Sequence, residues 1–260
     1  MKHFESLKSN GYTVLKNFLT KEQLVEYRNE LQSVIRVVGD NTSGAPIGEQ
    51  SKILQDKIVN NVHYHSSKYL DLVVDGSHIS IIQKFLNDPF YAIIPEDQPN
   101  FILAQCNVRK SSTAIDYHID VRLKLPAPTG WSMQCIVALE DRHKLNGGLK
   151  VLPGSHLQNF QTREHLDLSN EKNVDLKAGD AIIFFSHLYH ATNEVSETYN
   201  SAWGLLLTYR AWWAKPQFDF VNMFGEKRIK LMTNKQKTLL GYFAQPSKDW
   251  DGGASARQGY

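Results

Sequence analysis

The chain has 260 residues, of which 42% are hydrophobic and 22% are charged. This composition excludes a disordered, collagenous or coiled-coil protein and suits one globular domain with a sizeable core. The formal net charge of +2 provides no basic field for binding nucleic acid or an anionic membrane. The two cysteines, Cys106 and Cys135, make neither a disulfide framework nor a zinc cluster.

Neither a membrane span nor an export signal is expected from the sequence. No apolar run approaches the roughly 18–20 residues that a membrane helix needs, and residues 1–12 lack the apolar segment of a secretory signal. We therefore expect a soluble, cytoplasmic protein with catalytic or small-molecule-binding activity. We expect a small-molecule partner, a monomer or homodimer, and no binding to nucleic acid or membrane.

The first forty residues predict a short strand followed by an amphipathic helix. Residues 12–16 have the residue types of a strand. Thr20 and Gln23 have the spacing of a capping box, in which each side chain bonds a free amide of the first helical turn. Apolar residues then recur at three- and four-residue spacing, so the helix is predicted to run to about Val38.

After a second predicted helix over residues 78–87, the pattern changes to short β-type runs separated by turn residues such as Pro-Gly and Asn-Gly-Gly. These runs cover residues 101–108, 131–140, 148–154, 180–186 and 204–210. Several strands with helices gathered before them indicate a mainly β fold with flanking helices, an antiparallel barrel or sandwich. A jelly roll is the natural candidate.

The chain shows no internal repeat and no linker rich in Pro, Gly or Ser, so a single domain is predicted over residues 1–250. We divide it into a helical N-terminal flank over 1–100, a jelly-roll core over about 100–215, and a C-terminal helical extension. Residues 251–260 (DGGASARQGY) are predicted to be a flexible tail.

Three residues suggest a metal site. His118 and Asp120 are two positions apart, so on a strand their side chains would point to the same face. His190 follows an apolar strand, 70 residues after Asp120. Two histidines and one carboxylate form the facial triad of non-haem Fe(II) oxygenases, which leaves coordination positions open. A histidine–aspartate pair at the surface end of a strand is the alternative interpretation of the His118–Asp120 pair.

Longer motifs strengthen the first interpretation. Residues 4–31 (FESLKSNGYTVLKNFLTKEQLVEYRNEL), 117–120 (YHID), 146–156 (NGGLKVLPGSH) and 179–193 (GDAIIFFSHLYHATN) occur in this order. In these segments the chain resembles the phytanoyl-CoA dioxygenase-like family of Fe(II)/2-oxoglutarate oxygenases. The resemblance implies a double-stranded β-helix (a cupin-like jelly roll) and iron ligation by His118, Asp120 and His190. It also implies Fe(II) as cofactor, with 2-oxoglutarate and dioxygen as co-substrates.

His187 competes with His190 for the role of the second histidine ligand. On one strand the two would face opposite ways, because three positions separate them. The family places its ligand before a pair of small residues followed by an Asn. The segment from His190 to Asn193 fits that pattern better.

The sequence departs from the family where an arginine usually binds the distal carboxylate of 2-oxoglutarate, about eleven residues after the second histidine. If Tyr209 is matched to the Tyr that commonly ends this strand in the family, the arginine position falls on Ala202, and residues 199–204 contain no Arg or Lys. Three explanations stay open: Arg109 binds the carboxylate, Arg210 binds it, or 2-oxoglutarate is not used in the usual pose. Thr192 matches a small hydroxyl residue that contacts the co-substrate in the family. Gln134, on a strand that faces the metal by analogy, is a further candidate donor to the co-substrate.

An intact Asp120 disfavours the halogenating members of this superfamily, in which Ala or Gly at that position admits chloride. The expected activity is therefore that of a 2-oxoglutarate-dependent dioxygenase that hydroxylates, or otherwise oxidises, a C–H bond of a small metabolite. The alternatives are an iron oxygenase or oxidase of the same fold that omits 2-oxoglutarate, and a non-catalytic metal-binding jelly roll.

Overall fold

The computed structural model describes residues 2–39, 57–110, 113–122, 130–158 and 163–245. The tail predicted over 251–260 lies outside these residues, as do the last residues of the helical extension predicted to reach residue 250. The division of the chain into flank, core and extension therefore stays a prediction at its C-terminal end.

The predicted capping box starts the long N-terminal helix. The Oγ1 of Thr20 accepts the backbone N–H of Gln23 at 3.2 Å, and the Oε1 of Gln23 accepts the backbone N–H of Thr20 at 2.9 Å. The helix covers Lys21–Val38 and buries Leu24, Leu31 and Val34 on one face. Local chemistry therefore sets its start, and an apolar stripe sets which side packs inward.

Helices surround the sheets in two groups, one before residue 100 and one after residue 215. In chain order the helices are α1 (Lys2–Asn10), α2 (Lys21–Val38), α3 (Val62–His65), α4 (Ser67–Asp75), α5 (Ser77–Leu86), α6 (Phe220–Phe224), α7 (Glu226–Lys230) and α8 (Asn234–Leu239). Helix α5 confirms the helix predicted over 78–87, displaced by one residue. None of the helices in the described ranges is long and apolar enough to cross a membrane.

The strands form two antiparallel sheets. In chain order they are β1 (Tyr12–Leu15), β2 (Lys57–Asn60), β3 (Ile102–Lys110), β4 (Ile115–His118), β5 (Ser132–Ala138), β6 (Leu149–Val151), β7 (Lys172–Val174), β8 (Ala181–Phe185), β9 (His190–Thr192) and β10 (Gly204–Arg210). The larger sheet has the order β1-β8-β5-β10-β3-β2, and the smaller has the order β4-β9-β6-β7. The predicted mainly β jelly roll with flanking helices is confirmed.

Alternation along the central strands produces two apolar layers. On β5, Cys135 and Val137 belong to the core shared with the helices, whereas Ile136 and Ala138 belong to the core between the two sheets. The same period of two makes Leu206 of β10 face the smaller sheet. The inner face of the larger sheet therefore forms one wall of the space between the sheets.

Two histidines are buried in the helical layer, His63 in α3 and His78 in α5. Burial lowers the pKa of each imidazole to about 3, with His65 and Arg228 adding to the effect at His63. The ring of His63 packs edge-on against Phe220 at 4.7 Å between centroids. Neither of its ring nitrogens has a hydrogen-bond partner among the described residues.

These histidines make the stability depend on pH. Because the folded-state pKa lies below the unfolded value of 6.5, the unfolded chain binds more protons, and stability is lost as the pH falls from about 6.5 towards 3. Between pH 7 and pH 5 the free energy of unfolding should fall by about 2 kcal/mol per histidine.

A His63→Phe variant should keep the edge-on packing and remove about half of that loss, measured by urea unfolding at both pH values. A substitution of the exposed His165, His165→Gln, serves as the control and should behave like wild type. An unchanged pH dependence in His63→Phe would contradict this assignment.

Candidate metal centre

His118 and His190 meet as a cross-strand pair in the smaller sheet. His118 ends β4 and His190 begins β9, and the two are direct partners in the antiparallel register. Their ring centroids are 4.3 Å apart. His190 therefore follows the apolar strand β8, as predicted, and begins a strand of its own.

Backbone carbonyls orient both imidazole rings. The Nδ1–H of His118 donates to the carbonyl oxygen of Asp116 at 2.8 Å, and the Nδ1–H of His190 donates to that of Leu188 at 3.0 Å. Each ring is thereby fixed in the tautomer whose Nε2 is free of hydrogen and available as a donor to a metal. Burial lowers the pKa of His190, and the nearby Asp120 partly opposes this effect. The lowered pKa favours the neutral imidazole that can bind a metal ion.

Asp120 reaches the same point from a turn and not from a strand. Strand β4 ends at His118, and the backbone N–H of Asp120 donates to the carbonyl oxygen of Ser186 at 2.8 Å. Its Oδ1 lies 3.8 Å from Nε2 of His118, and its Oδ2 lies 3.7 Å from Nε2 of His190. His118 and Asp120 therefore converge as expected. Their convergence does not come from the alternation of side chains along one strand, because Asp120 lies beyond the end of β4.

The three side chains form a donor set that fits a metal ion. One ligand atom from each of His118, Asp120 and His190 lies within 4.8 Å of the other two. Two imidazoles and one carboxylate on one side of a metal are the donor set of non-haem Fe(II) sites. The buried His190 and the partly exposed Asp120 place the cluster at the edge of a cavity.

That cavity, of about 240 Å³, lies between the two sheets. The polar and charged side chains along its wall are Gln105, Arg109, His118, Asp120, Gln134, Arg142, His190 and Thr192. The predicted co-substrate residues Arg109, Gln134 and Thr192 are therefore in contact with this space. Arg210 is not among the described residues that line it.

A family model places this arrangement among known proteins. The model of phytanoyl-CoA dioxygenase matches residues 7–198, which includes both histidines and the aspartate of the cluster. The chain belongs to the phytanoyl-CoA dioxygenase family.

Relatives within and around the family are distant. Ectoine dioxygenase of Nocardia farcinica is 24% identical over 168 residues, which is 59% of this chain and only 51% of that protein. This chain therefore spans about half the length of that relative. Dioxygenase cdmA of Talaromyces verruculosus is 24% identical over 250 residues, 92% of this chain and 81% of that protein.

Solved structures share the fold of this family member at low identity. The epimerase SnoN in complex with Fe3+, alpha ketoglutarate and nogalamycin RO has a TM-score of 0.65 at 15% identity, covering 86% of this chain and 90% of SnoN. HygX from Streptomyces hygroscopicus with nickel and 2-oxoglutarate bound has a TM-score of 0.64 at 15% identity, covering 83% and 88%.

His187 does not join the cluster in this member of the family. It lies in the turn between β8 and β9, where its ring packs against Phe185 at 5.2 Å between centroids. The two histidines lie on different elements, so the opposite faces of one strand do not explain why they diverge. His190, and not His187, accompanies His118 and Asp120.

Gln134 bonds the carboxylate of the cluster. Its Nε2–H donates to Oδ2 of Asp120 at 2.7 Å, and its Oε1 accepts the hydroxyl hydrogen of Thr208 at 3.1 Å. Because one donor is engaged with Asp120, the geometry assigns Gln134 first to positioning this ligand. Its predicted contact with the co-substrate remains a proposal.

Replacing Gln134 should therefore weaken metal binding. Gln134→Leu is expected to lower Fe(II) affinity roughly 10- to 100-fold, because Asp120 loses the donor that orients it. Anaerobic titration with Fe(II) measures the change. Gln105→Leu is the matched control, since Gln105 also lines the cavity and lies 3.3 Å from the Thr208 hydroxyl but, among the described residues, forms no hydrogen bond with Asp120. Equal losses in both variants would contradict the positioning role.

The cavity contains one cation that sequence reasoning missed. Arg142 lies in the connection between β5 and β6, outside every motif that carries the family resemblance. No spacing rule relates this connection to the metal ligands. Its position beside the start of β10 can be found only from the folded structure.

Proposed function

We propose that this protein is an Fe(II)- and 2-oxoglutarate-dependent dioxygenase that oxidises a C–H bond of a small molecule. The observation that carries the proposal is the convergence of His118, Asp120 and His190 on a cavity that also contains Arg109 and Arg142. One part of this space suits a metal ion, and another suits an anionic group. A 2-oxo acid with a second carboxylate would use both parts, binding the metal ion through its 2-oxo acid end and the anion site through its distal carboxylate.

Bound Fe(II), with 2-oxoglutarate and dioxygen, would supply the oxidising power. The overall reaction converts 2-oxoglutarate, dioxygen and R–H into succinate, carbon dioxide and R–OH. The protein contributes the three metal ligands on one side and leaves the remaining coordination positions to the reactants. The carbonyls of Asp116 and Leu188 keep the imidazoles oriented, and Gln134 keeps the carboxylate of Asp120 in place.

The wall of the cavity supports the co-substrate in this proposal. Apolar side chains from both sheets, including Ile136, Leu149 and Leu206, also line this cavity. In a water-poor site a carboxylate needs a cation or several hydrogen-bond donors. Arg109 and Thr192 line this space and are proposed as contacts of 2-oxoglutarate.

Oxygen consumption with and without 2-oxoglutarate tests the proposal. With ascorbate supplied as the two-electron reductant in place of the substrate, the Fe(II)-loaded protein should convert 2-oxoglutarate slowly to succinate, with matching oxygen uptake, and His190→Ala should abolish both. Uptake that is independent of 2-oxoglutarate would indicate an iron oxygenase or oxidase of the same fold. Tight Fe(II) binding without any uptake, across a panel of small metabolites, would indicate a non-catalytic metal-binding jelly roll.

A further inference from the structure

Arg142 is held firmly at the cavity wall. Its backbone pairs with Leu176, with N–H to oxygen distances of 2.8 and 2.9 Å in the two directions. One guanidinium nitrogen, Nη2, donates to the carbonyl oxygen of Gly147 at 3.0 Å. The side chain lines the cavity that contains the metal ligands. These anchors fix the backbone and one edge of the guanidinium, and leave Nη1 to face β10.

Gly204 provides the room for this guanidinium. A Cβ atom at position 204 would lie only 2.5 Å from Nη1 of Arg142, so a side chain there would collide with it. In the sheet, Gly204 is the direct partner of Arg109 on β3 and of Ala138 on β5. The first residue of β10 is therefore the place where Arg109 and Arg142 approach each other.

The two cations create a site for an anion. Burial and, to a smaller extent, the nearby Arg109 lower the pKa of Arg142 to about 10, and Glu140 partly opposes this. With that pKa the guanidinium is still charged at neutral pH. Among the described residues no carboxylate forms an ion pair with Arg142, and Oε2 of Glu140 accepts the backbone N–H of Trp203 at 2.8 Å. An added carboxylate would relieve the repulsion between the arginines.

The strand register places this anion site at a distance from the metal ligands. Thr208 of β10 is level with Gln134, which bonds Asp120. Gly204 is four residues earlier, roughly 13 Å along the strand. The arginine side chains cover part of this distance, and an extended five-carbon diacid chelating the metal at its 2-oxo end would cover the rest.

We infer that Arg142, entering from the β5–β6 connection into the space left by Gly204, binds the distal carboxylate of 2-oxoglutarate together with Arg109. This inference rests on the proposed function. It explains why residues 199–204 need no basic side chain, since Arg142 brings the positive charge from the β5–β6 connection to the start of β10.

The test measures co-substrate binding directly in the anaerobic, Fe(II)-loaded protein. Wild type and Arg142→Ala are titrated with 2-oxoglutarate and with 2-oxobutanoate, which has the same 2-oxo acid end but no distal carboxylate. Arg142→Ala should lose roughly 30-fold or more in affinity for 2-oxoglutarate. Its affinities for 2-oxobutanoate and for Fe(II) should equal those of wild type.

Two further variants separate a charge effect from a folding defect. Lys144→Ala removes an exposed cation from the same connection and should bind 2-oxoglutarate like wild type. Gly204→Ala keeps every charge but displaces Nη1 of Arg142, so it should weaken binding of 2-oxoglutarate and not of 2-oxobutanoate.

Each outcome has a distinct meaning. If wild type binds Fe(II) but not 2-oxoglutarate, the proposed function fails. If wild type and Arg142→Ala bind 2-oxoglutarate equally tightly, the proposed function stands and the assignment of Arg142 is wrong. The assignment is also wrong if Arg142→Ala loses affinity for both oxo acids to the same extent, because its role is then structural.

Discussion

Replacing His118, Asp120 or His190 by alanine is expected to abolish stoichiometric Fe(II) binding. Each residue supplies one of only three protein donors, and these donors lie within 4.8 Å of one another. The described part of the chain offers no other group of three His, Cys, Asp or Glu side chains that could hold a metal ion. An ion that loses one of three protein ligands at an open site has few donors left.

His187→Ala is the matched control for the metal-binding experiment. His187 is a buried histidine three residues before His190, and its ring packs on Phe185 instead of on the cluster. Anaerobic titration with Fe(II), with far-UV circular dichroism to confirm folding, should show normal binding in this variant. Iron binding that survives in His190→Ala and disappears in His187→Ala would show that the ligand assignment is wrong.

Arg109→Ala and Arg210→Ala are expected to differ strongly in affinity for 2-oxoglutarate. Arg109 lines the cavity opposite Gly204, so its removal should weaken binding roughly 30-fold or more. Arg210 lies at the other end of β10, two residues beyond Thr208. Its Nη1 donates to the carbonyl oxygen of Lys215 at 2.7 Å, and its guanidinium lies 5.8 Å from the ring centroid of Trp131.

The measurement follows the charge-transfer band of the Fe(II)-loaded protein during anaerobic titration with 2-oxoglutarate. Arg210→Ala should bind 2-oxoglutarate nearly as tightly as wild type, because Arg210 and its contacts Lys215 and Trp131 lie at the end of β10 opposite Gly204. Weak binding in Arg210→Ala with normal binding in Arg109→Ala would overturn this arrangement. Normal binding in both variants would leave neutral donors, such as Thr192, or Arg142 alone to hold the carboxylate.

Local sequence patterns determined several elements of this protein. The helix Lys21–Val38 follows from the capping box at Thr20 and the apolar stripe behind it. Strands β5, β8 and β10 follow from dense apolar runs between turn residues, since short apolar runs bounded by such residues favour strands that are buried on both faces. The three candidate ligands, His118, Asp120 and His190, were also selected from the sequence, by their spacing and by the longer motifs around them.

Short strands and the exact positions of the ligands were decided only by the tertiary structure. Strands β2, β7 and β9 have three or four residues each, and no sequence pattern predicted them, because their hydrogen bonds come from neighbouring strands distant in sequence. Asp120 is placed by the carbonyl of Ser186, 66 residues later in the chain. Such long-range contacts have no local signature.

Arg109 and Arg142 show most clearly which features follow from the sequence and which depend on the tertiary structure. The sequence by itself showed that no arginine lies near Ala202, and it placed Arg109 directly after a run predicted as a strand over 101–108. In the structure this strand, β3, continues to Lys110. Only the folded chain brings Arg142 from the β5–β6 connection to the start of β10, where Gly204 leaves space for its guanidinium. Local propensities specify helices and strands, whereas the charge at a given point in space depends on whichever element packs there.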